Sequence, residues 1–195
     1  PAALAAMQAA LAEVWLYPDG SCHELKLALA RHLGVEAGCL TIGNGSNDLL
    51  MLLAEAYLTA GRSAVYSQYG FAIYPLVIRE TGAQAIEVPA LGRDTGMPLG
   101  HDLPAMAAAI RPDTRLVFIA NPNNPTGTWA DSAALRRLLD AAAASTLVVL
   151  DAAYYEYGHE RGIEDAQPWL AEYPNLVLLR TFSKAYGLAG LRIGW

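Results

Sequence analysis

A chain of 195 residues is long enough for one α/β domain with a substantial core. Its composition, 54% apolar and 16% charged, excludes a disordered chain, and its net charge of −6 argues against a nucleic-acid surface, which should be basic. No run of 18 apolar residues occurs, so no membrane-spanning helix is expected. Pro1 stands where a methionine would open a native chain, and no signal peptide is recognisable. Cys22 and Cys39 read as free thiols of a reducing cytoplasm, with a disulfide between them left open.

Residues 3–13 are alanine-rich and read as a helix. Pro18-Asp19-Gly20 signals a turn, with Ser21 as N-cap of a helix over about 22–33 that Gly34 ends. Leu40–Ile42 reads as a short strand running into Gly43-Asn-Gly-Ser-Asn-Asp48. An apolar helix follows, with Leu49, Leu52, Leu53, Ala56 and Tyr57 on one face. A strand, a glycine turn and a helix N-terminus make an anion site, because unpaired amides and the helix dipole point into it. The pattern is not a dinucleotide fingerprint, since Asp48 stands at the third glycine position, and no Gly-Lys exists for a P-loop.

Ser63–Ser67 reads as a second strand, followed by Gln68-Tyr-Gly-Phe-Ala-Ile-Tyr74. Tyr69 there is either a packing aromatic or a face on which a flat ring stacks. A third strand spans about 83–88, and residues 90–101 form a loop of no evident purpose. Arg115–Ala120 reads as a buried strand. Asn121-Pro-Asn-Asn-Pro-Thr-Gly127 sits at its carboxyl end, the edge where open α/β sheets bind ligands. A helix over about 131–143 leads to a strand at Thr146–Leu150 and then to Asp151-Ala-Ala-Tyr154, where a carboxylate ending a buried strand is costly unless paired. Asn175–Leu179 is the next strand. The alternation predicts a three-layer α/β/α domain with a mostly parallel sheet.

The last stretch, Thr181-Phe-Ser-Lys-Ala-Tyr-Gly-Leu-Ala-Gly-Leu-Arg-Ile-Gly-Trp195, holds Lys184 among small and apolar neighbours and Arg192 eight residues later. Burial would make such a lysine easier to deprotonate, and a neutral amine attacks carbonyls. Arg192 keeps its charge and suits an anion such as phosphate, with Thr181 and Ser183 as extra hydroxyl donors.

This segment resembles the lysine motif of fold-type I pyridoxal 5'-phosphate (PLP) enzymes, and Ser-Lys-Ala-Tyr-Gly-Leu-Ala-Gly-Leu-Arg resembles their histidinol-phosphate aminotransferase branch. Tyr17-Pro-Asp-Gly-Ser21, Gly43–Asp48 and Asn121–Gly127 match the same family in order. The resemblance implies that Lys184 carries the cofactor and moves the substrate proton. It implies that Ser46 and Asn47, with Thr181, Ser183 and Arg192, hold the phosphate, and that Tyr69 stacks on the ring. Asn124 and Tyr154 would meet the phenolic oxygen and Asp151 the pyridine nitrogen. Tyr17 would reach the neighbouring subunit's site in a homodimer. Residues 1–35 would be a helical dimer-contact segment and 36–195 the large cofactor domain, incomplete at its C-terminus. The implied activity is cytoplasmic transamination of L-histidinol phosphate with 2-oxoglutarate in histidine biosynthesis. Aromatic-amino-acid aminotransferases, threonine-phosphate decarboxylases and non-catalytic sensor domains share the scaffold and remain alternatives. Ala152 departs from the family's usual glutamate after the aspartate, and Cys22 from its common glycine. The four histidines lack metal-ligand spacing.

Overall fold

The computed structural model describes residues 2–195 and falls into two units, one ending at Thr41 and the other spanning Ile42–Trp195. In the first unit, α1 (Ala2–Ala10) continues into a 3-10 turn at Leu11–Glu13, and α2 (His23–Leu33) ends on Gly34 in the left-handed conformation. Ser21 is not the N-cap of α2. Cys22 occupies that position, and the Asp19 carboxylate accepts from the His23 amide (2.7 Å) and from both the amide and hydroxyl of Ser21 (2.9 and 2.8 Å). A charged acceptor four residues upstream takes the orphan donor that a serine hydroxyl was expected to take. These donors hold Asp19 below the usual carboxylate range.

The second unit is built on five parallel strands: β2 (Ser63–Ser67), β3 (Gln84–Val88), β4 (Thr114–Ala120), β5 (Leu147–Asp151) and β6 (Leu176–Leu179), ordered β3-β2-β4-β5-β6. β1 is the two-residue strand Gly43–Asn44, not Leu40–Ile42. It pairs antiparallel with β7 (Ile193–Gly194), outside the main sheet. Beyond β6 the chain returns antiparallel on itself only as a short ribbon. There Thr181 bridges Gly194, and Arg180 and Trp195 exchange amide–carbonyl bonds of 2.7 and 2.9 Å.

Side-chain alternation along the strands builds two apolar layers. Tyr66, Leu116, Phe118 and Val149 face α3 (Ser46–Tyr57) and α4 (Ile73–Glu80), meeting Leu50, Ala54, Tyr74 and Ile78. Val65, Val117, Ile119 and Val148 face α5 (Leu103–Ala108) and α6 (Ser132–Ala141), meeting Met106, Leu138 and Trp169. The architecture is therefore three-layer α/β/α. In α3 the buried residues are Leu49, Leu50 and Ala54, whereas Leu52 and Tyr57 are nearly half exposed. The helix is apolar nearly all round, so periodicity alone placed its buried face one residue off. A short α7 (Tyr155–Gly158) follows the Asp151 corner.

α5 is not among the helices expected from the sequence, although its start is signalled. Asp102 accepts from the Ala105 amide at 3.0 Å, and proline occupies the first turn. The 90–101 loop before it is a tight excursion closed by Leu91 and Leu99 amide–carbonyl bonds. It is pinned by buried His101, whose Nε2 lies 2.9 Å from the Ala120 carbonyl.

Candidate active site

A cleft of about 170 Å³ opens where β4, β5 and β6 end, the place a parallel α/β sheet offers to ligands. Eight residues singled out in the sequence line it: Ser46 and Asn47 from the start of α3, Asn124 from the loop after β4, Asp151 and Tyr154 after β5, and Ser183, Lys184 and Arg192 beyond β6. Thr181 lines it too, but its hydroxyl hydrogen is donated to the Ile193 carbonyl (3.1 Å), while its oxygen accepts from the Ser183 amide. Thr181 thus shapes the lysine loop, and its single hydrogen is not left for an anion.

The three asparagines of Asn121–Gly127 divide their work. Asn121 exchanges two hydrogen bonds with the backbone of Ala130, and Asn123 Nδ2 donates to the Tyr69 carbonyl (2.8 Å) and the Thr126 hydroxyl (2.7 Å). Both are buried, and Asn124 is the one that lines the cleft. The Asn121–Pro122 and Asn124–Pro125 bonds are cis.

Arg192 closes the other wall. It sits in the left-handed region (φ 55°) and its guanidinium donates to the Ser183 hydroxyl oxygen (3.3 Å), the Ala189 carbonyl (3.1 Å) and the Asn44 carbonyl (3.2 Å). It lies directly over Gly45, where a Cβ would collide with it. A Cβ on Gly194 would strike the backbone of Gly45 and Ser46. The two glycines let β7 and Arg192 press against the first turn of α3. Gly45 precedes that turn without a side-chain cap, so its amides meet a fixed cation and the helix dipole in one corner. Among the described residues no carboxylate is ion-paired with Arg192.

Lys184 is exposed, contrary to the burial expected from its apolar sequence neighbours. Its loop lies at the cleft mouth, where Ala185 is exposed and Tyr186 turns away onto Phe182 and Trp195. Neighbours in sequence are not its neighbours in space. Lys184 Nζ stands 5.1 Å from the centroid of the Tyr154 ring, close enough for a cation–π contact.

Asp151 is the buried member, 6% exposed. Its two oxygens accept from the Ala153 amide and the Tyr74 hydroxyl, each at 3.2 Å. Burial pushes its carboxyl above the ordinary value, opposed by those two donors and by the charge of Lys184. Tyr69 is not among the lining residues. The residue is 41% exposed, while its carbonyl anchors Asn123. Besides Tyr154, the aromatic that lines the cleft is Phe71, a residue whose place in sequence suggests only packing at a helix start. The i, i+3 spacing of Phe71 and Tyr74 at the start of α4 was the available signal. Tyr17, in the N-terminal unit, is 99% exposed. Among the described residues no cluster of His, Cys, Asp and Glu is arranged to hold a metal ion, and no helix is long and apolar enough to cross a membrane.

The carboxyl edge of a parallel α/β sheet thus gathers an amine, a buried carboxylate and an uncapped helix N-terminus backed by arginine. The family model for aminotransferases of class I and II matches residues 1–195, and the chain belongs to that family. It is 56% identical over 190 residues to histidinol-phosphate aminotransferase 1 of Cupriavidus pinatubonensis, covering 97% of this chain and 49% of that protein. The crystal structure of histidinol-phosphate aminotransferase from Sinorhizobium meliloti, in complex with pyridoxal-5'-phosphate, superposes with a TM-score of 0.87 at 36% identity, over 100% of this chain and 51% of that one. L-threonine-O-3-phosphate decarboxylase from Porphyromonas gingivalis superposes with a TM-score of 0.77 at 26% identity, over 94% and 51%. The chain spans about half the length of the curated relatives it matches. The fold is the large domain of fold-type I transferases.

Proposed function

We propose that the protein is a PLP-dependent aminotransferase that passes an amino group from L-histidinol phosphate to 2-oxoglutarate, in histidine biosynthesis. The observation that supports it most is the convergence of Lys184, Asp151, Asn124, Tyr154, Ser183 and Arg192 on one cleft, in a chain half identical to histidinol-phosphate aminotransferases. The donor set fits a flat pyridine bearing a phosphate. Asp151 is buried, with one lone pair left on each carboxylate oxygen after its two hydrogen bonds, and the α3 N-terminus with Arg192 lines the same cleft.

Asp151 would hold the pyridine nitrogen's proton, Asn124 and Tyr154 the phenolic oxygen, and the amides of Ser46 and Asn47 with Ser183 and Arg192 the phosphate. When bound, PLP supplies an electron sink for the amino donor's α-carbon. Lys184 Nζ would accept and return the proton at the amino donor's α-carbon, its exposure at the cleft mouth giving the side chain room to swing. Arg192 polarises the Ser183 hydroxyl by donating to its oxygen, which leaves the hydroxyl hydrogen for a phosphate oxygen.

The domain reading is a dimer-contact segment over residues 1–35 and a cofactor domain over 36–195. It is supported by the run Leu11–Tyr17, where Leu11, Val14, Trp15 and Tyr17 are all more than half exposed, as an intersubunit surface would be. We read the protein as a cytoplasmic homodimer acting on small molecules, with Tyr17 serving the neighbouring site. The likeness to L-threonine-O-3-phosphate decarboxylase keeps one second reading, a decarboxylase of a phosphorylated amino acid.

Two measurements on the full-length protein test this. Borohydride should fix the cofactor to a single peptide containing Lys184; fixation at Lys26 would overturn the assignment. With 2-oxoglutarate, histidinol phosphate should turn over faster than phenylalanine, aspartate or histidinol, because an unfilled anion site forfeits charge-assisted bonds. Carbon dioxide release from threonine phosphate would favour the decarboxylase instead.

A further inference from the structure

Tyr74 ends the stretch Gln68–Tyr74 and touches the one buried carboxylate of the cleft. Its hydroxyl donates to Asp151 Oδ2 at 3.2 Å across 77 residues of sequence. The side chain is 1% exposed, and its ring is clamped. It stacks on Phe118 with centroids 5.0 Å apart and planes 8° apart, and it meets the edge of the cleft-lining Phe71 at 5.9 Å. Gly70 makes the space, since a Cβ there would come within 3.3 Å of the Tyr74 ring and 3.0 Å of the Ser67 carbonyl. A ring fixed on both sides leaves its hydroxyl little freedom of direction.

The polar end of so apolar a side chain needs a partner, and any neutral acceptor would have satisfied it. The partner here is instead a carboxylate whose other oxygen is held by the Ala153 amide. Two donors on opposite oxygens fix the rotation of the carboxylate plane as well as favouring its ionised form. Burial and the neighbouring Asp151 keep the Tyr74 phenol protonated, so it always has a hydrogen to give.

We propose that Tyr74 is a positioning residue of the site: its clamped hydroxyl orients Asp151 and restrains its basicity, so that the proton Asp151 shares stays on the ligand's ring nitrogen. The inference rests on the reading that Asp151 faces a pyridine nitrogen. Without the phenol, Asp151 binds a proton more tightly and draws it off the ring.

The test uses full-length holoenzyme loaded with PLP carrying nitrogen-15 in the ring. Tyr74→Phe keeps the ring stack and removes the hydroxyl. It should move the ring-nitrogen signal toward the unprotonated value and lower kcat about ten-fold, the loss of one hydrogen bond to a charged group, with KM nearly unchanged. Replacing Tyr74 by 3-fluorotyrosine, a stronger donor of the same shape, should move the signal the opposite way, and it decides the matter if Tyr74→Phe fails to fold. Asp151→Asn separates the two readings. If Asp151→Asn shifts the nitrogen signal and neither Tyr74 replacement does, the positioning role is wrong while the Asp151 assignment stands. If Asp151→Asn leaves the signal in place, the underlying reading of the cleft fails and the inference falls with it.

Discussion

At the scale of single residues, Asp151 is the clearest case of stability given up for function. Its folded-state carboxyl is raised above 3.8, so between that value and its value in the fold the native chain holds a proton the unfolded chain has released. Stability from this group is therefore present at low pH and lost as pH rises through the window, and at neutral pH the buried charge is a net cost. Asp151→Asn should raise the urea midpoint of the cofactor-free protein at pH 7 while lowering transamination on the order of a hundred-fold, about 2.7 kcal/mol in the barrier. A variant that is both less stable and fully active would contradict this account. Tyr154 and Asn124 differ from Asp151 in being only partly buried, so they bind at the cleft without a comparable burden on the fold.

At the scale of elements, the phosphate corner depends on how closely β7 crosses the start of α3. Gly194→Ala places a methyl against the backbone of Gly45 and Ser46, which cannot move as a side chain would. Overpacking of this kind costs about 1–3 kcal/mol. The variant should lose stability by that amount and bind PLP at least ten-fold more weakly, both read from a fluorescence titration and a urea melt. The 90–101 loop offers a second element-scale test. Burial holds the His101 imidazole below its ordinary 6.5, although its contact with the Ala120 carbonyl favours the protonated form, and its Nδ1 lacks a partner. The unfolded chain thus takes up a proton at a pH where the native chain does not. Stability contributed by this residue is present above 6.5 and falls as pH drops through the window below it. His101→Gln should flatten the urea midpoint between pH 7.5 and 5.5 relative to the parent; an unchanged slope would exclude His101 as its source. Because Ala120 also lines the cleft, that loop is tied to the floor of the site.

At the scale of the whole molecule, shared sites make a quantitative prediction. If Tyr17 of one subunit serves the other's phosphate, mixing full-length Lys184→Ala and Tyr17→Phe proteins yields dimers with one doubly lesioned site and one intact site. The mixture should regain tight PLP binding relative to Tyr17→Phe alone, as measured by cofactor titration; no gain would mean the sites are not shared. What the amino-acid order alone determined was most of the succession of strands and helices, though not α5, and most of the residues that line the cleft. Gly43–Asp48, Asn121–Gly127, Asp151–Tyr154 and Ser183–Arg192 are contiguous motifs, each legible because turn chemistry and polar residues at strand ends are local in sequence. Tertiary structure decided the rest. Whether Lys184 is buried, which face of α3 points inward, which asparagine of three meets the cleft, and that Tyr74 reaches Asp151 all depend on contacts between segments far apart in the chain. An apolar run such as Leu49–Leu53 carries little periodic signal, and a hydroxyl such as that of Thr181 has one hydrogen whose destination is set only when Ile193 folds back beside it. Local pattern specifies which groups are available; packing decides which of them are still unpaired when the cleft has formed.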